Sequence, residues 1–302
     1  MVSPCTYQGK VYLYNGPGAW ALSVRQTERM LHSHWHSHAV KTTTDFQAVD
    51  KDTSLVVVPG GSTVFISDAL SRSVENLRQY VGNGGNYLGI CAGAIFATRQ
   101  IHGRPFLSHV QTSIRKGSLL GTDDLNSLCD VAVDYDEKDM FHSLNLRFYQ
   151  GRCVVPYVVK HDRAANPLNF TPIDVLRKTA DKVDPFRLMC YSGPVFPDVH
   201  PDATTLLSYG TSMQIKEIAK GDPYTYSGKV FQEEHPAAVI ACPFGRGKAV
   251  LSGVHYEFDP MTFATDAAKE SDASSLLPDL IDDEKPRQAL IQDVWDALSV
   301  AP

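Results

Sequence analysis

The stretch Asn86–Phe96, reading N-Y-L-G-I-C-A-G-A-I-F, constrains the fold more than any other part of this chain. Its apolar run Tyr87–Ile90 predicts a short buried strand that leads directly into Cys91. Gly89 and Gly93 flank the cysteine symmetrically, and a helix-like run follows. Glycine allows two backbone segments to approach closely, so the pattern predicts a sharp turn from a strand into a helix.

Two interpretations of Cys91 are compatible with this turn. In a nucleophile elbow, a strained strand-to-helix turn lifts a reactive side chain out of the sheet. The predicted helix Ile95–Arg99 would then direct its N–H groups and its dipole towards the sulfur and favour the thiolate. In the alternative, Cys91 is an inert buried thiol at the end of a core strand, because free cysteine is among the most buried residue types.

Apolar runs that alternate with helical periodicity extend over much of the chain. Strands are predicted at Val11–Tyr14, Val40–Thr44, Ser54–Val58, Thr204–Tyr209, Ala237–Cys242 and Lys248–Gly253, and helices at Ser23–Leu31, Ser73–Val81 and Pro286–Val300. The last two strands are joined by a glycine-containing turn, which is typical of a hairpin. The alternation predicts a doubly wound α/β sheet with right-handed crossovers.

Two glycine-rich turns follow predicted strands. They are Asn15-Gly16-Pro17-Gly18 and Pro59-Gly60-Gly61-Ser62. Open α/β sheets bind ligands at the carboxyl ends of their strands, so Asn15 and Gly16 are candidate substrate-binding residues. Gly60 and Gly61 can present free N–H groups to a ligand. The first turn does not match a phosphate-binding loop, and the alternative for the second is an ordinary tight turn.

The region at about 100–185 has weak periodicity, and we predict that it is an insertion or lid over the elbow. Gln150, within Phe148–Gly151, is a candidate to return to the pocket. Tyr191 and Ser192 follow another strand-to-turn transition and are also candidate substrate-binding residues. No long linker divides the chain, so a single domain over residues 1–302 is expected.

His255 and Glu257 form a second informative pattern, at the end of the late hairpin. On a strand, positions i and i+2 face the same way. An elbow cysteine needs a base and a group that orients that base, which a histidine next to a carboxylate can supply. The alternative is an ordinary polar strand end. Tyr256 between them is a candidate substrate-binding residue.

Composition excludes several classes of function. The net charge of −6 provides no basic footprint, so we expect no nucleic-acid partner. No apolar run is long enough to span a bilayer, and no membrane partner is expected. The N-terminus lacks an apolar leader, which favours a cytoplasmic location, although a trimmed secreted chain would look the same. The sequence does not determine the oligomeric state, and a homodimer is possible.

The six cysteines lack C-x-x-C spacing, which argues against a zinc or redox site. Four alternating histidines, in the segment His32–His38, would share one face of a strand and could bind a metal. A solvated helix end and loop is the simpler interpretation. We therefore expect neither a metal nor a cofactor.

Taken together, these motifs resemble the class I glutamine amidotransferase-like superfamily, and within it the N-terminal domain of biotin–protein ligases. The residues that carry the resemblance are Tyr14–Gly18, Val56–Gly61, Tyr87–Gly93 and Gly245–Phe258. The resemblance implies a flavodoxin-like, mostly parallel α/β/α fold. It also implies that Cys91 is a nucleophile, His255 its base and Glu257 the orienting group. The implied oxyanion donors are the N–H of Ala92 and one N–H from Gly60 or Gly61.

The chain departs from glutamine amidotransferases in one respect. Those enzymes usually carry a histidine–glutamine pair shortly after the nucleophile, whereas Ala94 and Ile95 follow Gly93 here. The expected function is therefore a hydrolase or amidotransferase that attacks a C–N bond of a small amide-like substrate. Two alternatives stay open: a non-catalytic binding or regulatory module, and a cysteine-dependent lyase, hydratase or cyclase.

Overall fold

The computed structural model describes residues 9–102, 131–132, 146–154, 171–179, 181–190, 193–197, 199–210, 213–218, 226–267 and 278–299. Within these residues the chain forms fourteen strands in three sheets. The strands are β1 (Lys10–Tyr14), β2 (Val40–Thr43), β3 (Thr53–Val58), β4 (Asn86–Ile90), β5 (Thr98–His102), β6 (Val131–Ala132), β7 (Tyr149–Val154), β8 (Thr171–Lys178), β9 (Val183–Cys190), β10 (Thr204–Tyr209), β11 (Met213–Ile218), β12 (Tyr226–Glu233), β13 (Ala237–Phe244) and β14 (Gly247–Ser252).

The described helices connect these strands. They are α1 (Ala21–His32), α2 (Thr63–Ala69), α3 (Val74–Gly82), α4 (Ala92–Phe96), α5 (Pro260–Ala267), α6 (Pro278–Ile281) and α7 (Glu284–Ala297). Short 3-10 turns precede β2 and α3. Among the residues described, we find no helix with the length and hydropathy needed to cross a membrane.

The main sheet has nine strands in the order β2-β1-β3-β4-β14-β13-β10-β8-β9. Its first five strands are parallel. If these five strands are numbered 1 to 5 in chain order, with β14 as the fifth, their order in the sheet is 2-1-3-4-5. This is the order of flavodoxin-like folds, in which ligands bind where the strand order reverses. The other four continue the sheet as antiparallel neighbours. The predicted α/β class is confirmed, as a mixed sheet with a large parallel half.

Helices cover both faces of the parallel half. Alternate residues of β1 and β3 point to opposite sides, so that Val11 and Leu55 pack in one apolar cluster and Tyr12 and Val56 in the other. The first cluster includes side chains of α1 and α7, and the second includes side chains of α2, α3 and α4. Burial on both faces explains why β3 reads as a continuous apolar run.

Two small sheets accompany the main one. Strands β12, β11 and β6 form a three-stranded sheet, and β5 and β7 form a parallel pair. Most of the predicted insertion lies outside the described residues, and its boundaries stay a prediction. From residue 171 onwards, however, the chain of that range belongs to the main sheet, because β8 lies between β10 and β9.

One helix prediction was wrong. The helix after Cys91 spans Ala92–Phe96 rather than Ile95–Arg99, and β5 begins at Thr98. The helix starts directly at the cysteine because the small residues of the glycine motif form its first turn. This start places the N-terminus of α4 next to Cys91, closer than the sequence predicts.

Candidate active site

Cys91 lies in a strained turn between β4 and α4. Its backbone has φ of 52° and ψ of −107°, a region that non-glycine residues rarely occupy. Its N–H donates to the Ser252 carbonyl at 2.7 Å, and its carbonyl accepts hydrogen bonds from the N–H groups of Ala94 and Ile95. Strain of this kind, held in place by surrounding hydrogen bonds, is typical of functional sites.

The flanking glycines allow this turn to form. A Cβ atom on Gly93 would collide with the Val58 carbonyl oxygen at the end of β3, and one on Gly89 would lie 2.6 Å from the Gly93 carbonyl oxygen. The hydroxyl of Tyr87 donates to that same Gly93 oxygen at 2.8 Å. The symmetric glycines are therefore required by close backbone contacts, as the sequence pattern predicts.

His255 and Glu257 form a buried pair just beyond β14. The Nδ1 atom of His255 lies 2.7 Å from Oε1 of Glu257, and each residue is 1% exposed. The backbone N–H of His255 donates to the Met189 carbonyl at 2.7 Å, which ties this segment to the end of β9. The two side chains therefore face each other, although they lie beyond the strand on which the sequence predicts them.

Gly60 lies next to both His255 and Cys91. A Cβ atom on Gly60 would lie 2.7 Å from Cε1 of His255 and 3.5 Å from Cβ of Cys91. The sulfur is close enough to His255 to alter the titration of the ring. No described atom has the geometry of a full hydrogen bond to the buried Nε2. Catalytic contacts are often long or poorly aligned in unliganded proteins.

The environment of His255 favours the imidazolium. Burial by itself lowers the pKa of His255, but the Glu257 carboxylate and the Cys91 sulfur raise it, and the result is a pKa of about 10. The two neighbouring groups therefore favour the protonated ring at neutral pH. A cation next to a cysteine is the usual cause of an activated thiolate.

Two aromatic side chains enclose the ring of His255. Phe258 stacks on it with ring centroids 4.8 Å apart and an interplanar angle of 15°, and Trp20 meets it edge-on at 5.9 Å and 87°. Sequence reasoning did not identify either residue. The position of Trp20, between a glycine-rich turn and the start of α1, is the signal that could have identified it.

Ser23 is a further polar neighbour that the sequence did not reveal. Its hydroxyl donates to Oε1 of Glu257 at 2.8 Å and accepts a hydrogen bond from the Gly60 N–H at 3.0 Å. Ser23 is fully buried on the inward face of α1. A serine on the face that carries Val24 and Leu31 was the available signal, but its partner is 234 residues away in the sequence.

The predicted oxyanion donors are in different states. The Gly60 N–H is occupied by Ser23, so it does not face a ligand. No described residue accepts a hydrogen bond from the Gly61 N–H, and Gly61 is exposed. The N–H of Ala92 belongs to the first turn of α4, where helical N–H groups have no partner within the helix. Ala92 and Gly61 are therefore the two donors that the geometry retains.

The predicted substrate-binding residues lie in four different places along the chain. Asn15 and Gly16 follow β1, and their turn is joined to the Gly60 turn because the Ser62 N–H donates to the Gly18 carbonyl at 2.8 Å. Gln150 is exposed, and its side-chain amide donates to the Arg147 carbonyl at 2.8 Å.

Tyr256, by contrast, is fully buried within the core cluster that contains side chains of α7. Its hydroxyl has no hydrogen-bond partner among the described residues, and its role as a substrate-binding residue stays a prediction. Tyr191 and Ser192 lie outside the described residues.

The four histidines between residues 32 and 38 do not share a strand face. They lie at the end of α1, in a turn and on a 3-10 turn, where His36 and His38 stack at 5.4 Å. Among the described residues, no three His, Cys, Asp or Glu side chains are grouped as metal ligands would be.

The chain is similar to several proteins of known structure, at low sequence identity. Among solved structures, a glutamine amidotransferase has a TM-score of 0.48 at 15% identity, with 86% of this chain and 100% of that chain covered. A ThuA-like protein from Bacteroides uniformis has a TM-score of 0.41 at 15% identity, covering 84% of this chain and 85% of that one.

A GH42 beta-galactosidase from G. stearothermophilus has a TM-score of 0.36 at 12% identity, covering 98% of this chain but 31% of that one. No curated protein matches the chain in sequence. The model of the family "Biotin-protein ligase, N terminal" matches residues 9–105 and 127–301. Since that match covers most of the chain, the protein belongs to the biotin–protein ligase N-terminal domain family.

Proposed function

We propose that this protein is a cysteine-nucleophile enzyme that cleaves or transfers the C–N bond of a small amide-like substrate. The observation that carries the proposal is the meeting, at Gly60, of a strained Cys91 and a buried His255–Glu257 pair. A strained turn that presents a thiol to a protonated imidazole has no evident structural purpose. It does fit the needs of covalent catalysis.

The proposed reaction has two halves. The Cys91 thiolate attacks the amide carbonyl carbon, and the N–H groups of Ala92 and Gly61 stabilise the negative oxygen that develops. The His255 imidazolium gives its proton to the nitrogen as the C–N bond breaks, which leaves a thioester on Cys91. Water or an amine, deprotonated by His255, then attacks the thioester and restores the thiolate. Losing one oxyanion donor typically costs about 3 kcal/mol of transition-state stabilisation.

The non-catalytic alternative makes an opposite prediction about Cys91. A binding module needs the pocket but does not need a thiolate, whereas the proposed enzyme needs one at neutral pH. Cys91 is 4% exposed, so a small reagent is required to distinguish the two functions.

The test is the pH dependence of Cys91 alkylation by iodoacetamide, followed by peptide mass spectrometry. If Cys91 is an activated nucleophile beside the His255 imidazolium, we expect the rate at pH 6 to be at least about a third of the rate at pH 8. An ordinary thiol with a pKa of about 8.5 would slow about 75-fold over that range. Such ordinary behaviour would rule out an activated nucleophile and favour the binding module.

The chain contains its own comparison thiols. Burial raises the pKa of Cys153 and of Cys242 to about 12 in each case. We expect both to remain unlabelled under conditions in which Cys91 reacts. Equal labelling of all three would indicate that the reagent has unfolded the protein.

A further inference from the structure

We propose that Ser23 is a positioning residue that holds the Glu257 carboxylate in place and thereby sets the pH range over which Cys91 is a thiolate. The inference rests on the proposed function. Ser23 lies outside the Cys–His–Glu group, but its hydroxyl donates to the carboxylate of that group.

The carboxylate of Glu257 depends on very few donors. Its Oε1 atom accepts hydrogen bonds from His255 at 2.7 Å and from Ser23 at 2.8 Å. Its Oε2 atom is buried and has no hydrogen-bond partner among the described residues. A carboxylate can accept about four hydrogen bonds, so Glu257 is sparsely satisfied for a group with no exposure. Ser23 is therefore the only described donor that holds this carboxylate independently of His255.

Ser23 also connects three separate segments of the chain. It lies in the first turn of α1, its hydroxyl accepts the Gly60 N–H, and it donates to Glu257 beyond β14. The Gly60 carbonyl is in turn fixed by the Trp20 N–H at 2.9 Å. Both polar groups of Gly60 are thus tied to the start of α1. This arrangement sets the position of the neighbouring Gly61, which carries one of the proposed oxyanion donors.

The effect on Cys91 follows from electrostatics. A hydrogen bond to a carboxylate favours its charged form, and a charged Glu257 favours the His255 imidazolium. The imidazolium in turn favours the Cys91 thiolate. Removing the Ser23 hydroxyl weakens the first step, so the thiolate should form only at higher pH.

The experiment measures the iodoacetamide profile of Cys91 from pH 5 to pH 9 in the full chain and in variants. For Ser23→Ala we expect the midpoint to rise by about one pH unit, since one hydrogen bond to a charged group is worth about a tenfold change in equilibrium. The rate at pH 6 should fall about fivefold, while the rate at pH 9 stays within about twofold of wild type. A merely structural role would not move the midpoint.

The matched control is Thr27→Val on the same helix. Thr27 lies one turn after Ser23, is equally buried, and its hydroxyl has no hydrogen-bond partner among the described residues. We expect its profile to match wild type. The isosteric pair Ser23→Thr and Ser23→Val repeats the comparison if Ser23→Ala does not fold. The threonine should retain the wild-type midpoint and the valine should raise it.

The two proposals fail in different ways. If the wild-type midpoint is near 8.5, Cys91 is an ordinary thiol, and both the proposed function and the role of Ser23 are overturned. If the wild-type midpoint is low but Ser23→Ala, or the threonine and valine pair, leave it unchanged, the role of Ser23 alone is overturned.

Discussion

At the scale of single residues, the backbone of Cys91 has a measurable consequence. A residue with a Cβ atom held at φ of 52° carries strain of about 1–3 kcal/mol, which glycine largely escapes. We therefore expect Cys91→Gly to be more stable than Cys91→Ala by about 1 kcal/mol, although glycine normally costs stability. Urea unfolding of the two variants checks this order.

A control at Ala94, in the middle of α4, should show the usual order. There, replacement by glycine should cost about 1 kcal/mol, because the backbone is helical and no strain is released. If Cys91→Gly is the less stable variant at the elbow as well, the turn is not strained in solution.

Residue-level prediction succeeded where the signal is local. Gly89 and Gly93 each lie two positions from Cys91, and His255 and Glu257 are two positions apart. Within each group, this short spacing is enough to indicate the local geometry. Ser23 and Trp20 were missed because their relation to the site arises from contacts between distant parts of the chain. No periodicity encodes such a contact.

At the scale of elements, the boundary of α4 shows where local reasoning fails. The residues after Cys91 favour a helix, yet β5 begins at Thr98 and pairs with β7, more than fifty residues later in the chain. A non-local pairing therefore ends the helix early. Strands with continuous apolar runs were predicted to within two residues, because burial on both faces leaves a strong local signature.

The packing of α4 against β3 yields a second prediction. A methyl group on Gly93 would collide with the Val58 carbonyl, a backbone atom that cannot move aside alone. We expect Gly93→Ala to lower the free energy of unfolding by about 3 kcal/mol or more. Denaturant titration followed by circular dichroism measures the change.

Gly82 provides the matched control for this substitution. It ends α3, and a Cβ atom there would lie 3.8 Å from Phe244, an ordinary van der Waals contact. Gly82→Ala should leave stability unchanged or raise it by up to about 1 kcal/mol. Equal effects of the two substitutions would contradict the close packing of α4 on β3.

At the scale of the whole molecule, Arg287 joins α7 to the segment that carries the site. Its guanidinium donates to the Tyr256 carbonyl at 2.6 Å and pairs with both oxygens of Glu284 at 2.7 Å. The side chain is almost fully buried. Because Tyr256 lies between His255 and Glu257, the helix supports the backbone from which both side chains project.

We expect Arg287→Leu to destabilise the protein by about 2 kcal/mol or more, since it leaves a buried carbonyl without a donor. Differential scanning calorimetry measures the loss. Arg246→Ala is the comparison, because Arg246 is exposed and contacts Asn83 at 3.3 Å, so its removal should change stability by less than about 0.5 kcal/mol. Similar losses in both variants would contradict the anchoring role of Arg287.

The central position of β14 has a consequence for the order of biosynthesis. This strand enters the sheet between β4 and β13, and the Ser252 carbonyl receives the amide proton of Cys91. A nascent chain that has reached only residue 246 has the thiol but lacks both its hydrogen-bond acceptor and its imidazole. More than 160 residues after Cys91 must therefore be translated before the proposed nucleophile can meet its imidazole.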